Sequence, residues 1–494
     1  MTLTLGLDVG TQGTKGLVLD PDRGVVARAS APYDLLDGLP SGAAEQHPHL
    51  WRDAVQAVVQ ELLSHEDVDR DRLVGVGVSG QQHGCVLLGE DDEPVRAAKL
   101  WCDTVTADEA AELGVATGFT ASKVLWTRRH EPEVWARTRR VLLPHDYVNL
   151  LLSGEASMEA GDASGTGWFD LGARRFDEAA MDRLDAAAGD GTRLAERLPG
   201  LTDPTDPLAP IGRTTGALGL PAGLVVAPGG GDNMMSALGS GATRAGTLVV
   251  SLGTSGTAFA HADAPVVDPD GLIAPFCGSA GGWLPLLCVM NLTGVTEEVR
   301  AGGTAALRLA GDPRGELDHA ALTDAAAGVP AGCDGLLWLP YLAGERVPDL
   351  PRATGTLLGM RPGHLRPGVL YRAALEGTSL NLARGVTRLR GLGLAFERTH
   401  LVGGAAANPL WRAVLAACLD TPLVALEEPE SAALGAALQA LGSWHREAGA
   451  AFDLHDLAAP LVREGDPTAP DPTLVGTYAG LAARFGDEVA RLYG

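Results

Sequence analysis

The sequence predicts an α/β protein made of two similar domains that face one ligand between them, and three observations predict it. The pattern Gly-Thr-x-Gly-Thr occurs twice, as Gly10-Thr11-Gln12-Gly13-Thr14 and as Gly253-Thr254-Ser255-Gly256-Thr257, 243 residues apart in a chain of 494. Each copy directly follows an apolar β-like run and precedes another, and around each the order of strands and helices recurs. The length itself divides in two, because a single core stops growing at roughly 250–300 residues. A strand, a tight Gly-Thr turn and a second strand form a hairpin whose backbone N–H groups and hydroxyls can cradle an anion. The two copies differ at one place: two residues before the first glycine stands Asp8 in one and Ser251 in the other. A carboxylate on one side only suits a phosphate site that also takes a metal ion.

In the first half the apolar run 3–9 predicts a strand, 15–20 its partner, and Pro21-Asp22-Arg23-Gly24 a turn into a third strand at 25–30. The apolar period over 48–64, opened by Pro48, predicts an amphipathic helix, and the run 73–78 a buried strand. Residues 107–198 show mostly helical periodicity. Pro204, Pro207 and Pro210 then lead into a strand at 223–227. The second half predicts strands at 247–252, 257–262 and 282–290, helices near 303–311 and 317–327, and a strand at 335–339. A long helix over 366–390, a strand at 399–402, a helix over 409–419, a strand at 422–425 and a helix over 431–442 follow. A Pro-rich stretch (460–473) precedes a C-terminal helix. Three strands, a crossover helix and a further strand in each half imply mixed sheets. Glycine-rich sequence near 230–245 suits a hinge, giving domains 1–240 and 241–494.

Composition removes several function classes. Lys plus Arg number 38 against 62 Asp plus Glu, a net charge of −24, whereas a nucleic-acid backbone or an anionic membrane needs a positive face. The six cysteines are scattered with no C-x-x-C pair, so they read as small core residues in a reducing compartment, which predicts a cytoplasmic protein. The chain opens on strand-like Thr2-Leu3-Thr4-Leu5 without a basic leader, and the uncharged run 245–262 is broken by glycines and hydroxyls, which argues against a membrane span. Only three of the basic residues are lysine (Lys15, Lys99 and Lys123), and each could mark a place that wants a compact ammonium rather than a planar fork.

Four segments could carry chemistry. Gly229-Gly230-Gly231-Asp232-Asn233 follows a strand and puts a carboxylate at its C-terminal edge, where α/β proteins place their sites. A hydroxyl attacking a phosphoryl group needs a positioned base, and Asp232 can supply one. Gly403-Gly404-Ala405-Ala406-Ala407-Asn408 opens a helix without a bulky side chain and could admit a flat purine. Gly80-Gln81-Gln82-His83-Gly84 and Lys99-Leu100-Trp101-Cys102-Asp103 supply amide, imidazole, indole and carboxylate groups suited to sugar hydroxyls.

These segments, together with Asp8-Val9-Gly10-Thr11, Gly118-Phe119-Thr120-Ala121-Ser122-Lys123-Val124-Leu125-Trp126, Leu143-Pro144-His145-Asp146-Tyr147, Ser251-Leu252-Gly253-Thr254-Ser255-Gly256 and Leu339-Pro340-Tyr341-Leu342-Ala343-Gly344-Glu345-Arg346, resemble the FGGY carbohydrate kinases over nearly the whole chain. The resemblance implies two actin-like (ribonuclease H-like) domains with a cleft between them, and ATP with Mg²⁺. It implies Asp232 as the general base and Asp8 with Asp232 as the carboxylates on the metal side. Thr11, Gln12, Gly13, Thr14 and Lys15 would hold phosphates from one side, and Gly253 and Thr254 from the other. Gly403, Gly404 and Asn408 would border adenosine. Gln82, His83, Trp101, Asp103, Asp232 and Asn233 would hold the sugar, and the Gln-His pair with the Gly118–Lys123 stretch favours D-xylulose. A homodimer is compatible with the resemblance. The chain departs from the pattern at Gln82, Cys102, Val105, Thr127 and Val369 and in a shortened segment before Gly118, which leaves ribulose, erythritol or xylitol as alternative acceptors. An actin-like ATPase that phosphorylates no sugar is the reading from a different class.

Overall fold

The computed structural model describes residues 2–212, 218–313 and 315–494. Its first sheet grows from strands β1 (Leu3–Val9), β2 (Gly13–Asp20) and β3 (Gly24–Pro32), an antiparallel meander. Helix α1 (Pro48–Ser64) packs its buried Trp51, Val55, Val58, Val59 and Leu62 on that meander. The chain then returns as β4 (Leu73–Gly80), parallel to β1. After a long excursion, β5 (Val225–Val226) adds parallel to β4. Helix α2 (Asp232–Gly239) leads out of this sheet.

The second sheet repeats the plan. Strands β6 (Gly246–Leu252) and β7 (Gly256–Ala260) form the antiparallel hairpin, and β8 (Ala274–Cys277) and β9 (Trp283–Val289) extend it on the β7 side. Helices α3 (Thr293–Leu309), α4 (His319–Ala327) and α5 (Pro367–Gly391) precede β10 (Phe396–Val402), which runs parallel to β6. Helix α6 (Pro409–Leu419) and strand β11 (Leu423–Leu426) continue the parallel side. The orders β5-β4-β1-β2-β3 and β11-β10-β6-β7-β9 are the same path twice, so the repeated turn does mark a repeated domain.

One element crosses the divide. Helix α7 (Ser431–Glu447) belongs by sequence to the second half, yet it lies on β1 and β4 of the first sheet and against α2. Thr4 donates to the Ala437 carbonyl at 3.0 Å, and Gly77 gives way so closely that a Cβ there would lie 2.1 Å from the Ala436 carbonyl oxygen. Leu17, Leu19, Leu238, Ala433, Leu434, Ala437 and Leu438 fill the joint.

The structure differs from expectation in five places, the first being that helix α3 begins at Thr293, well before the helix expected near 303–311. Residues 107–198 contain short strands besides their helices: Arg140–Leu142 pairs with Val86–Leu88, and Ser157–Glu159 with Gly200–Thr202. The strand expected at 335–339 is only Leu337–Leu339 and pairs with Thr356–Leu358 outside the main sheet. Strand β8 carries Pro275, and the Pro-rich stretch holds Glu464–Thr468 with Pro467 on the opposite edge. Proline is tolerated in both because an edge strand needs fewer ladder donors. No helix among the described residues is long and apolar enough to cross a membrane.

Candidate active site

The first sheet brings two carboxylates to one edge. Asp8 lies near the end of β1, opposite Ser79 of β4, and Gly230 pairs with that same Ser79 on the other side. Two residues later Asp232 opens α2. Ser79 Oγ donates to Asp8 Oδ1 at 2.8 Å. Burial raises the Asp8 carboxyl to about 6. Burial, then the neighbouring charges of Asp8 and Asp162, raise Asp232 to about 7.

Asn233 joins the halves. Its Nδ2 donates to Gln82 Oε1 (2.9 Å) and to Asp232 Oδ1 (2.8 Å), and its Oδ1 accepts from Thr257 Oγ1 (3.0 Å). Gln82, Asp232 and Asn233 are therefore brought together as the sequence predicts. Thr257, the last residue of the second Gly-Thr turn, joins them unanticipated. Thr254 is exposed at the turn tip, and the carbonyls of Gly253 and Thr254 receive Thr293 N and Leu292 N at the start of α3.

In the first turn Gly10 N donates to Gly13 O at 3.0 Å, Gln12 is exposed and Gly13 is half-buried. Thr11 Oγ1 donates to Gln81 Oε1 (3.2 Å) and accepts from Trp101 Nε1 (3.0 Å), which ties the turn to the indole expected on the sugar side. Thr14 is buried with its hydroxyl 3.4 Å from that of Tyr33, so it braces the hairpin instead of facing an anion. Lys15 is half-exposed and pairs with Glu430 at 2.8 Å.

Three further expectations acquire a different physical reading. Asp103 is fully buried and spends its oxygens on Lys99 Nζ (3.3 Å), Ala44 N (3.1 Å) and Val105 N (3.2 Å), so it fixes the loop that carries Trp101. Asn408 caps α6 through Leu410 N and Trp411 N and donates to Thr323 Oγ1 of α4, so its side chain holds two helices in place. Gly403, at φ +88°, packs against the Leu252 carbonyl, 2.7 Å from where a Cβ would stand, whereas Gly404 has open space beside it.

Behind Asp232 lies a buried polar cluster that the sequence reading missed. His145 sits between Asp146 and Asp162, each 2.9 Å away, and all three are fully buried. Against the cost of burial, these two carboxylates hold the imidazolium protonated, up to about 10. Glu159, buried next to Asp162, accepts from Ser279 Oγ of the second half at 2.9 Å. A Cβ on Gly231 would meet Gln82 Cγ at 2.7 Å and Asp162 Oδ1 at 3.0 Å. The glycines before Asp232 thus let the backbone slip past this cluster.

His83 is held at φ +63°, its ring stacked on Phe119 (4.6 Å between centroids) and touched by Phe276 of the second half (5.7 Å). Burial, reinforced by the charges of Lys123 and Arg346, keeps its imidazole neutral. Arg346 reaches from the second half to the Thr117 carbonyl at 3.5 Å, and Glu345 before it is locked by Met290 N, Asn291 and Asn381.

The donor set at the Asp8–Asp232 edge is carboxylate oxygen, which suits Mg²⁺, a cation commonly held by one or two carboxylates together with substrate phosphates. Among the described residues no group of three or more His, Cys, Asp and Glu is gathered to hold a metal by itself.

Two duplicated mixed sheets, a Gly-Thr turn from each and a helix opened by Asp232 between them are the frame of a phosphotransferase of the sugar-kinase class. Residues 3–239 match the N-terminal domain and residues 248–444 the C-terminal domain of the FGGY family of carbohydrate kinases, and the chain belongs to that family. It is a sugar kinase. It is similar to the xylulose kinase of Haemophilus influenzae, 34% identical over 99% of this chain and all of that one. Among solved structures it resembles the xylulose kinase of Rhodospirillum rubrum (30% identity, TM-score 0.86, 99% of each chain). A gluconate kinase of Lactobacillus acidophilus is equally close in shape (25% identity, TM-score 0.86, 99% of this chain and 98% of that one). Overall shape therefore does not choose the acceptor.

Proposed function

We propose that this chain transfers the γ-phosphoryl group of ATP to O5 of D-xylulose, with Asp232 as general base. The observation that carries the reading is the Asp8–Asp232 carboxylate pair at one sheet edge, tied through Asn233 to Thr257 of the opposite turn. The acceptor follows the xylulose kinases among the relatives and the Gln82-His83 pair.

Asp232 takes the proton of the attacking hydroxyl. Its backbone neighbour Asn233 N (2.7 Å) and Asn233 Nδ2 both bind Oδ1, which reserves Oδ2 for the sugar. Asp8 would hold Mg²⁺, whose charge would offset the negative charge developing on the transferring phosphate. Thr11, Gln12 and Gly13 would face the phosphates from the first half, and Gly253 and Thr254 from the second, with adenosine beside Gly404. His83, Trp101 and Gln82 would line the sugar side, Asp103 acting from behind. Contacts between the halves at Arg346–Thr117, Ser279–Glu159 and Cys277–Ser164 would exclude water from that end.

Only the carboxylate form of Asp232 accepts a proton. Because its folded-state pKa is raised to about 7, kcat/KM for the sugar is expected to rise with pH and to level off above neutrality. Bound Mg²⁺ beside Asp8 would move the midpoint down, not up. A rate that is flat from pH 5.5 to 8 would argue against Asp232 as base.

Coupled ADP release, with Mg²⁺-ATP and D-xylulose, D-ribulose, L-ribulose, xylitol, gluconate or glycerol as acceptor, tests the assignment. The greatest kcat/KM is expected with D-xylulose. A different preferred acceptor would replace the substrate and keep the base. ATP turnover unaffected by every acceptor would favour an actin-like ATPase.

A further inference from the structure

Of the three lysines in the chain, two have ordinary ionic partners. Lys15 meets Glu430 at the surface, and Lys99, buried, lies between Glu45 (2.9 Å) and Asp103 (3.3 Å). Lys123 is different. It is fully buried in the helix Thr120–His130, and its Nζ donates to two main-chain carbonyls, those of His83 (2.8 Å) and Gly118.

A buried ammonium is costly unless its hydrogens are used, so this pair of bonds needs a reason. Both carbonyls stand directly behind groups placed on the sugar side of the cleft. His83 carries a left-handed backbone, φ +63°, a conformation that a non-glycine residue keeps only when its surroundings enforce it. The His83 carbonyl is fixed twice, by Lys123 and by Thr120 Oγ1 at 3.2 Å. Gly118 is pressed against the loop of Trp101, since a Cβ on it would lie 2.2 Å from the Trp101 carbonyl oxygen. One ammonium therefore sets the height of two segments at once, the His83 loop and the Gly118 turn under Trp101. Lys123 sits in the first turn of its helix, and a long side chain there points back toward the N-terminus, which is where both carbonyls lie. Burial pulls the amine down to about 7, and both its charged and its neutral form donate N–H, so the clamp does not depend on its protonation.

We propose that Lys123 is a positioning residue for the sugar acceptor: it holds the His83 and Gly118 carbonyls so that the His83 and Trp101 rings present one fixed surface to the cleft. This rests on the reading of His83 and Trp101 as acceptor-binding residues. Lys123 makes no contact with the Asp8–Asp232 edge or with the Gly-Thr turns, so the role predicts a split between substrates.

The test is steady-state kinetics of Lys123→Met with sugar and ATP varied separately, together with ATP hydrolysis without sugar. The KM for the sugar is expected to rise about tenfold or more, while the KM for ATP and the sugar-independent hydrolysis stay within about twofold. Thr120→Val, which removes only the second donor to the His83 carbonyl, is expected to move the sugar KM in the same direction by about threefold. If Lys123→Met does not fold, Thr120→Val decides alone. An unchanged sugar KM in the folded variants, or sugar and ATP parameters falling together, overturns the proposal. Should the wild-type protein prefer another sugar, that sugar's KM is the one read. A wild-type protein that no sugar stimulates overturns both this role and the reading of the site beneath it.

Discussion

Replacing Asp232 with Ala is expected to lower kcat by about 10²–10⁴-fold while leaving the KM for ATP within a few-fold, because general-base assistance acts only in the transition state. The structure explains why no neighbour can substitute. Asp8 is occupied by Ser79 and, in the proposed reading, holds Mg²⁺. Asp162 is engaged by His145. Asp232→Asn keeps the shape and the Asn233 contacts and is expected to lose nearly as much, which separates loss of the base from loss of packing. The check is initial rate at saturating sugar and ATP, with the circular dichroism spectrum as a control for folding. An Asp232→Asn protein retaining more than about a tenth of wild-type kcat would remove Asp232 from the base role.

The second large effect is on stability. Helices α2 and α7 cross at a mutual glycine contact. A Cβ on Gly239 would lie 1.9 Å from the Ser431 carbonyl oxygen, and one on Gly435 would lie 1.9 Å from the Met235 carbonyl oxygen. These are main-chain atoms inside helices, so neither can yield without shifting a whole helix. Gly239→Ala or Gly435→Ala is expected to destabilise the protein by about 3 kcal/mol or more, at the upper end of overpacking costs. Activity should fall with it, since α2 carries Asp232 and α7 is the segment of the second half that rides on the first sheet. Gly476→Ala, in a helix where nothing lies within 4 Å of the new Cβ, is the control and is expected to be neutral or stabilising by up to about 1 kcal/mol. Urea unfolding midpoints compare the three. Equal midpoints for Gly239→Ala and wild type would contradict a close contact of the two helices at these glycines.

Much of this was legible in the sequence because the signals were local. Apolar runs followed by Gly-Thr turns gave both hairpins, and Pro48 with its apolar period gave α1 to the residue. What escaped depended on partners far along the chain. The edge strands Ala274–Cys277 and Glu464–Thr468 contain proline, which reads as a breaker until the sheet shows that they lie at its margins. The strands within 107–198 are two or three residues long, too short to register a period of two. At the site, Asp232 and Asn233 stood out because a carboxylate after three glycines is locally unusual. Asp103 was read as a sugar ligand although Lys99 stands four residues before it, a spacing that could have suggested the internal pair now seen. Thr14 and Thr257 occupy the same place in the two copies, yet one turns to Tyr33 and the other to Asn233; no local signal separates them. The His145–Asp162 pair behind Asp232 is a contact of tertiary structure, for which Gly80 leaves room for the His145 main chain and Gly229 for its ring.

The most direct test of the central claim is the fate of the phosphoryl group. Wild-type protein is incubated with Mg²⁺-ATP and D-xylulose, and the phosphorylated product is followed by phosphorus and carbon NMR while ADP is counted. One phosphate ester at O5 for every ADP released, and neither product from Asp232→Asn, is the result this account predicts. ADP matched by inorganic phosphate, with the sugar unmodified, would contradict it.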